Sequence, residues 1–284
     1  MSVSNPINPN VAMEKKDSES GTNWLSEFEH RFAGIAVIMV LLAVWEVLAR
    51  WIIPAANPSL GVLIPPPSEV LMSGVAMARS GELLTHVFDS SKRVLIAWSL
   101  VVLTAVPLGI AMGWSMKFNR YINPLIELLR PIPPLAWIPI SILWFGIGMT
   151  QNLFIIMVGV FFPILLNTIH GVRGIDPVLI RAARNLGATQ RKLLSRVVLM
   201  AALPSIFNGL RVGLGVAWMV LVAAELVAAT SGLGYMIQDA RNFLRTDIIF
   251  MGMFMIGFMG ILMDFVLRLV GRQALSWHHG SGNL

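Results

Sequence analysis

The chain has 284 residues, of which 56% are hydrophobic and 13% are charged, and it contains no cysteine. A mean hydropathy of +0.74 is too high for a soluble domain of this length and indicates an integral membrane protein. Disulfides, a thiolate nucleophile and a zinc site with cysteine ligands are excluded. The formal charge of +6 is concentrated in loops, so it informs on membrane topology rather than on nucleic-acid binding.

The N-terminal part predicts a polar tail followed by a first membrane span. Residues 1–31 are polar, and we expect a disordered tail that turns helical near Trp24. The span runs from Phe32 to about Ile53, with Glu46 and Arg50 spaced to neutralise each other. Residues 54–82 are expected outside the membrane, extended through a run of prolines and then helical from a cap at Ser68.

The next stretch predicts a charge-free span and then a broken one. The second span runs from Val94 to Trp114, which leaves Lys92 and Arg93 outside, against the positive-inside rule. Four prolines (Pro131, Pro133, Pro134 and Pro139) then exclude a straight third helix, and a broken membrane helix usually lines protein or a cavity. Residues 131–172 carry no Asp, Glu, Lys or Arg and are long enough for two spans with a turn at residues 146–152.

Residues 174–204 are polar and basic between two apolar stretches. Asp176 and Pro177 predict a helix start, Gly187 a helix end, and Thr189 a second helix that Pro204 closes. The first helix carries an apolar stripe of Val178, Leu179, Ala182, Ala183 and Leu186. The surrounding segment holds six of the 21 Lys and Arg residues: Arg173, Arg181, Arg184, Arg191, Lys192 and Arg196. From the pattern alone, a hairpin at anionic headgroups and a docking device explain it equally well.

The C-terminal part predicts a fifth span from Ile206 to Thr230 and a sixth from Ile248 to Leu267. Glu225 is a costly intramembrane acid. Arg211, 14 residues earlier, is about 21 Å away along a helix, too far for a direct pair. We therefore favour a structural hydrogen bond from Glu225 to a neighbouring helix or subunit over a substrate contact. Asp264 and Arg268 lie at pairing distance near the inner face.

Catalytic and metal-binding motifs are missing from the sequence. His278 and His279 have no third ligand, the Gly-x-Gly pairs at 146/148 and 232/234 are typical of turns, and no phosphate-binding loop sequence (Walker A) occurs. We therefore predict no catalytic residue, no metal site and no cofactor in this chain. An energised pump would need its ATPase on another chain.

Several separated motifs carry a resemblance to a known family. Arg181-Ala182-Ala183 with Gly187 and Leu203-Pro204 resembles the "EAA" loop of ABC importer permeases, although Arg181 replaces the family's Glu and Met200 stands where a Pro is expected. The other motifs are residues 65–71, 130–139, 142–148 and 223–237. Together, over roughly residues 32–275, they resemble permeases of the nitrate, sulfonate and taurine branch.

The resemblance implies an all-α integral membrane protein with six transmembrane helices and the type I ABC importer (MetI-like) permease fold. It implies residues 1–31 and 273–284 as cytoplasmic tails and residues 32–272 as the permease domain, with the coupling loop at 174–204. The implied location is the bacterial inner membrane with both termini cytoplasmic. The implied partners are a second copy, cytoplasmic ATPases that hold ATP and Mg, and a periplasmic binding protein, with no nucleic acid.

The resemblance also implies roles for individual residues. The ATPase-coupling residues would be Asp176, Arg181, Ala182, Ala183, Gly187 and Ala188, and the translocation-path candidates are Pro134, Trp137 and Glu225. The implied substrate is an aliphatic sulfonate or taurine. Nitrate, bicarbonate or another small organic solute are the alternatives, and a stand-alone secondary transporter or channel is the competing class.

Overall fold

In the computed structural model, residue 34 and residues 36–274 are described, and their regular structure is helical. The interpretations of residues 1–31, and of His278 and His279, lie outside the described residues. The helices are α1 (Ala36–Ala56), α2 (Pro58–Leu63), α3 (Pro67–Ser80), α4 (Glu82–Trp114), α5 (Met116–Leu129), α6 (Pro134–Phe145), α7 (Met149–Arg173), α8 (Pro177–Asn185), α9 (Gln190–Ala228), α10 (Leu233–Asn242) and α11 (Thr246–Ala274).

The chain divides into two compact units, and the first ends at Leu71. Within it, Glu46 and Arg50 form the predicted ion pair, with 3.2 Å between Arg50 Nε and Glu46 Oε1. Ser68 was expected to cap a helix, but α3 already begins at Pro67. The Ser68 N–H and hydroxyl instead donate to the Glu46 carboxylate at 3.0 and 2.9 Å, so a side chain of α1 satisfies an unpaired N–H at the start of α3.

The core of the second unit is built by α4, α7 and α9, the helices with the most extensive mutual packing. Glycines allow this close approach. A Cβ on Gly109 of α4 would lie 2.7 Å from the side chain of Thr168 in α7, and a Cβ on Gly213 of α9 would lie 2.8 Å from Ile164 in α7. The side chains of Ile164, Leu165 and Leu221 are fully buried in this core.

Helix α4 is longer than the span predicted for it. It begins at Glu82 and has 33 residues, about 50 Å at 1.5 Å per residue, against a hydrocarbon core of about 30 Å. The amphipathic stretch before Val94 and the apolar span therefore form one continuous helix.

The proline-rich break is confirmed. Helices α5 and α6 meet at an angle of 80°, because Pro131, Pro133 and Pro134 cannot supply the N–H groups that a continuous helix requires. A turn follows in which Gly146 and Gly148 have φ values of 72° and 142°, a region that favours glycine. Helix α7 begins at Met149, so the turn is shorter than predicted.

Six helices in the described part of the chain are long and apolar enough to cross a membrane, and the bent pair α5–α6 would be a seventh. The number of candidate membrane spans therefore matches the predicted six, but they are not the same six segments. Pro58–Ser80, which we expected outside the membrane, meets the criteria of length and composition. The third predicted span lies in the bent pair.

Candidate coupling segment and translocation-path residues

Helix α8, the first of the basic segment, begins and ends where the sequence predicted. The Asp176 side chain accepts a hydrogen bond from the Val178 N–H at 2.8 Å, and Pro177 occupies the first helical position. Gly187 has a φ of 78°, and the Ala188 N–H donates to the Ala183 carbonyl at 3.0 Å. This left-handed glycine terminates the helix and reverses the chain within three residues.

The apolar stripe of α8 is exposed rather than packed against the rest of the subunit. Val178 and Leu179 are more than half exposed, and Leu186 is 88% exposed. Ala182 is exposed, and Arg181 and Arg184 flank it with exposed side chains. Ile180 is the α8 residue that packs against the core. An exposed apolar surface with a charged rim is typical of a protein–protein contact.

Pro204 does not close this segment, and that prediction is wrong. The second helix continues through Pro204 as α9, with a π-helical turn at Leu193–Val198. Pro204 removes a single helical N–H, and the helix is held by burial of Ala202 and Ile206 on either side. The basic segment is consequently continuous with the most buried of the candidate spans.

Pro134 and Trp137 lie at the bend between α5 and α6. Beside them is a cavity of about 570 Å³, lined by α4, α5, α6 and α7 with almost entirely apolar atoms. Trp137 lines this cavity and meets Phe154 edge to face, with 6.2 Å between the ring centroids. The Trp137 Nε1 is buried and has no hydrogen-bond partner among the described residues.

Glu225 lies inside the second unit, where it pairs with Arg93 of α4. Glu225 is 1% exposed and Arg93 is 6% exposed, and Arg93 Nη1 lies 2.5 Å from Glu225 Oε1. The Ser90 Oγ is 2.9 Å from both carboxylate oxygens. Arg93 also donates to the carbonyl and the hydroxyl of Ser231 at 2.7 and 2.8 Å.

The same cluster supplies acceptors for the first N–H groups of α10. The Gly232 N–H donates to His86 Nδ1 at 3.1 Å, the Leu233 N–H to Ser90 Oγ at 2.8 Å and the Gly234 N–H to Glu225 Oε2 at 2.9 Å. These donors have no partner within their own helix. Side chains of α4 and α9 therefore fix the α9–α10 turn. Glu225 contributes to it through a carboxylate that is already buried within a single subunit.

Arg93, the partner of Glu225, was not predicted from the sequence. Arg93 was placed outside the membrane, yet it is buried. Two signals existed: Arg93 violated the positive-inside rule, and it shares one helical face with Ser90, Ala97 and Val101, all of which are buried. Arg211 pairs with Asp264 of α11 at 2.6 Å, and Asp264 also binds Arg268, as its spacing predicted.

No group of three or more His, Cys, Asp or Glu side chains that could hold a metal ion occurs within residues 36–274. The structured features are of another kind: apolar membrane-length helices, a bent helix pair beside a cavity, and an exposed segment continuous with the core. They define a helical integral membrane protein with an exposed segment suited to a partner.

A family model described as "Binding-protein-dependent transport system inner membrane component" matches residues 105–275. The chain belongs to this family, the permease subunits of ABC importers, and it is a multi-pass inner membrane protein.

Relatives and a solved structure agree with this assignment. The taurine transport system permease protein of Escherichia coli (strain K12) is 40% identical over 86% of this chain and 89% of its own length. A Bacillus subtilis (strain 168) protein named as an aliphatic sulfonates transport permease is 34% identical, covering 94% of this chain and 93% of its own. The MetNI methionine ABC transporter, solved in an inward-facing conformation, has a chain that matches with a TM-score of 0.57 at 20% identity, over 68% of this chain and 94% of that one. The predicted MetI-like fold is thereby confirmed.

Proposed function

We propose that this permease carries an aliphatic sulfonate or taurine across the inner membrane in a complex with a second copy of itself, two ATPase subunits and a periplasmic binding protein. Two relatives with the substrate names taurine and aliphatic sulfonates, both matched over most of their length, support the substrate. ATP and Mg belong to the ATPase in this proposal, and the chain contributes no cofactor site.

The observation that carries the coupling role is the exposed apolar face of α8. Val178, Leu179 and Leu186 present apolar surface that no part of the described subunit covers, and exposed surface of this kind gains free energy when a partner buries it. Asp176, Ala182, Ala183, Gly187 and Ala188 shape this face and its turn.

Motion of the ATPases would reach the core through α9. Because α9 is continuous from Gln190 to Ala228, a displacement of the docked segment would be transmitted along this helix to the centre of the second unit. The flanking Arg181 occupies the position of the family's Glu, and its exposure suits a contact with an acidic group on the ATPase.

The basic segment belongs on the cytoplasmic side in this proposal, with residues 1–31 and 273–284 as cytoplasmic tails. With the six spans predicted from the sequence, this placement puts 15 of the 21 basic residues inside, in accord with the positive-inside rule. One of the six residues that the sequence left outside is Arg93, which is buried and neutralised by Glu225 and therefore does not count against this orientation.

The test is reconstitution. The chain, a candidate ATPase and a candidate binding protein are placed in proteoliposomes, and ATP hydrolysis and uptake are measured with taurine, an alkanesulfonate and nitrate. We expect stimulation by the sulfonates. Stimulation by nitrate or bicarbonate alone would overturn the substrate, and gradient-driven flux through the chain without ATPase would overturn the coupled mechanism.

A further inference from the structure

An arginine of α9 and an arginine of α11 share a single carboxylate. Arg211 donates to Asp264 through Nε and Nη2 at 2.6 and 3.3 Å. Arg268 donates to the same carboxylate through Nε and Nη2 at 2.8 and 2.5 Å. The Nη1 of each arginine has no acceptor among the described residues, so two groups of N–H donors remain available to a further anion.

The charge of this cluster is not balanced by other acids of its two helices. Two guanidiniums and one carboxylate leave one formal positive charge. The sequence contains no Asp or Glu after Asp264, and the acid that α9 itself carries is Glu225, which is already paired with Arg93. Arg272, exposed one turn beyond Arg268, adds a second positive charge. The cluster therefore favours an anionic ligand.

The lengths of the two helices place the cluster at one edge of the hydrocarbon core. About 20 helical residues cross a core of about 30 Å. Counted from Ile248, at the start of α11, 20 residues lead to Arg268. Counted back from Ala228, the last residue of α9, 20 residues lead to Asn208, one turn before Arg211. Both counts place the guanidiniums at headgroup level, on the side of the membrane where α9 joins the basic segment.

The surface beside the cluster is apolar and open. The side chains of Arg211 and Arg268 are 36% and 46% exposed. Phe258, Ile261 and Phe265 lie on the same face of α11 as Arg268, toward the centre of the membrane, and each is more than half exposed. A basic end followed by an apolar strip matches the headgroup and the acyl chain of a phospholipid, and basic sites between membrane helices at the cytoplasmic side suit anionic headgroups.

We propose that Arg211 and Arg268 bind the phosphate of an anionic phospholipid in the cytoplasmic leaflet, with an acyl chain along Phe258, Ile261 and Phe265. The two Nη1 groups donate charge-assisted hydrogen bonds to the phosphate oxygens. The negative charge of phosphatidylglycerol balances the surplus of the cluster. The ammonium of phosphatidylethanolamine finds no free carboxylate there, because both oxygens of Asp264 already accept from arginine. This site is independent of the transported substrate, and only the leaflet is taken from the proposed orientation.

The experiment is native mass spectrometry of the purified full-length permease in detergent, with phosphatidylglycerol and phosphatidylethanolamine added in equal amounts. We expect the wild-type chain to retain phosphatidylglycerol preferentially. Arg268→Gln should weaken phosphatidylglycerol binding about fivefold, the effect of one basic residue beside an anionic headgroup, and leave phosphatidylethanolamine binding unchanged. The Arg211–Asp264 pair persists in this variant, so the fold should be retained. Arg268→Lys keeps the charge and should stay within about twofold of wild type.

Arg241→Gln is the matched control, because it removes the same charge from an exposed position of α10 and should not alter lipid retention. Equal retention of the two lipids by the wild-type chain would overturn the proposal, as would equal losses in Arg268→Gln and Arg241→Gln. Thermal stabilisation by inorganic phosphate that equals the stabilisation by phosphatidylglycerol would show a site for a free oxyanion instead. A changed oligomeric state of Arg268→Gln with unchanged lipid retention would assign this face to a second copy of the chain, against the proposal.

Discussion

At the scale of single residues, the Arg93–Glu225 pair is the most demanding feature of the second unit. Both charges are buried, and each has additional hydrogen bonds to Ser90, Ser231 or Gly234. A buried pair of this kind adds little net stability compared with apolar side chains, but removal of one partner leaves the other charge uncompensated. The pair therefore imposes a specific arrangement of α4 against the α9–α10 turn.

Arg93→Ala should strongly destabilise the permease, by about 3 to 5 kcal/mol, because Glu225 would remain buried without its counter-charge. The measurement is thermal unfolding of the purified permease in detergent. Arg241→Ala is the control, since Arg241 is exposed and its loss should change stability by less than about 0.5 kcal/mol. The double variant Arg93→Ala/Glu225→Ala should be more stable than Arg93→Ala alone, and a double variant that is less stable would show that the charges do not act as a pair.

The turn residue Gly187 gives a second prediction at this scale. Gly187→Val places a β-branched side chain at a φ of 78°, which costs about 1 to 2 kcal/mol or more and would displace the turn. We expect ATP-coupled uptake to fall at least tenfold while the permease still folds and inserts. Gly257→Val is the control, because Gly257 lies inside α11 with open space at its Cβ. Coupled uptake that survives Gly187→Val would argue against this turn as part of the coupling element.

At the scale of elements, the three core helices depend on glycine contacts, and two glycines of α9 provide a matched comparison. A Cβ on Gly213 would collide with Ile164, whereas a Cβ on Gly215 meets nothing within 4 Å. Gly213→Val should therefore separate α9 from α7 and destabilise the permease by about 1 to 3 kcal/mol. Gly215→Val, two residues away, should have little effect on thermal unfolding. Equal effects of the two substitutions would indicate that helix propensity, not packing, determines the loss of stability.

The exposed face of α8 leads to a prediction about assembly. Leu186 is 88% exposed, so Leu186→Asp should leave the fold of the isolated permease unchanged. Buried against an ATPase, the unpaired carboxylate would be costly, and we expect at least a tenfold weaker association with the ATPase by co-purification. Leu103→Asp is unsuitable as a control because Leu103 lies in a membrane span. Thr189→Asp retains a capping residue in the same segment and should preserve association.

At the scale of the whole molecule, the number of crossings determines where the ends lie. Six spans place both termini on one side, and seven would place them on opposite sides. We expect a reporter enzyme that is active only outside the cytoplasm to be inactive when fused after Leu284 or within the turn at Gly187, and active when inserted between Gly146 and Gly148. Activity after Leu284 together with inactivity at Gly187 would mean an odd number of crossings between these two points, and it would contradict the proposed topology.

Much of this molecule follows from its sequence because the relevant interactions are local. The membrane class follows from composition, and the start of α8 at Asp176-Pro177, its end at Gly187 and the break before Pro134 follow from backbone chemistry that acts within a few residues. Tertiary structure decided the rest. It paired Glu225 with Arg93 across 132 positions of sequence and Arg211 with Asp264. It also allowed α9 to continue past Pro204 and left the apolar face of α8 exposed. Each of these depends on which helices pack together, and that depends on contacts among residues far apart in the chain, which no local pattern specifies.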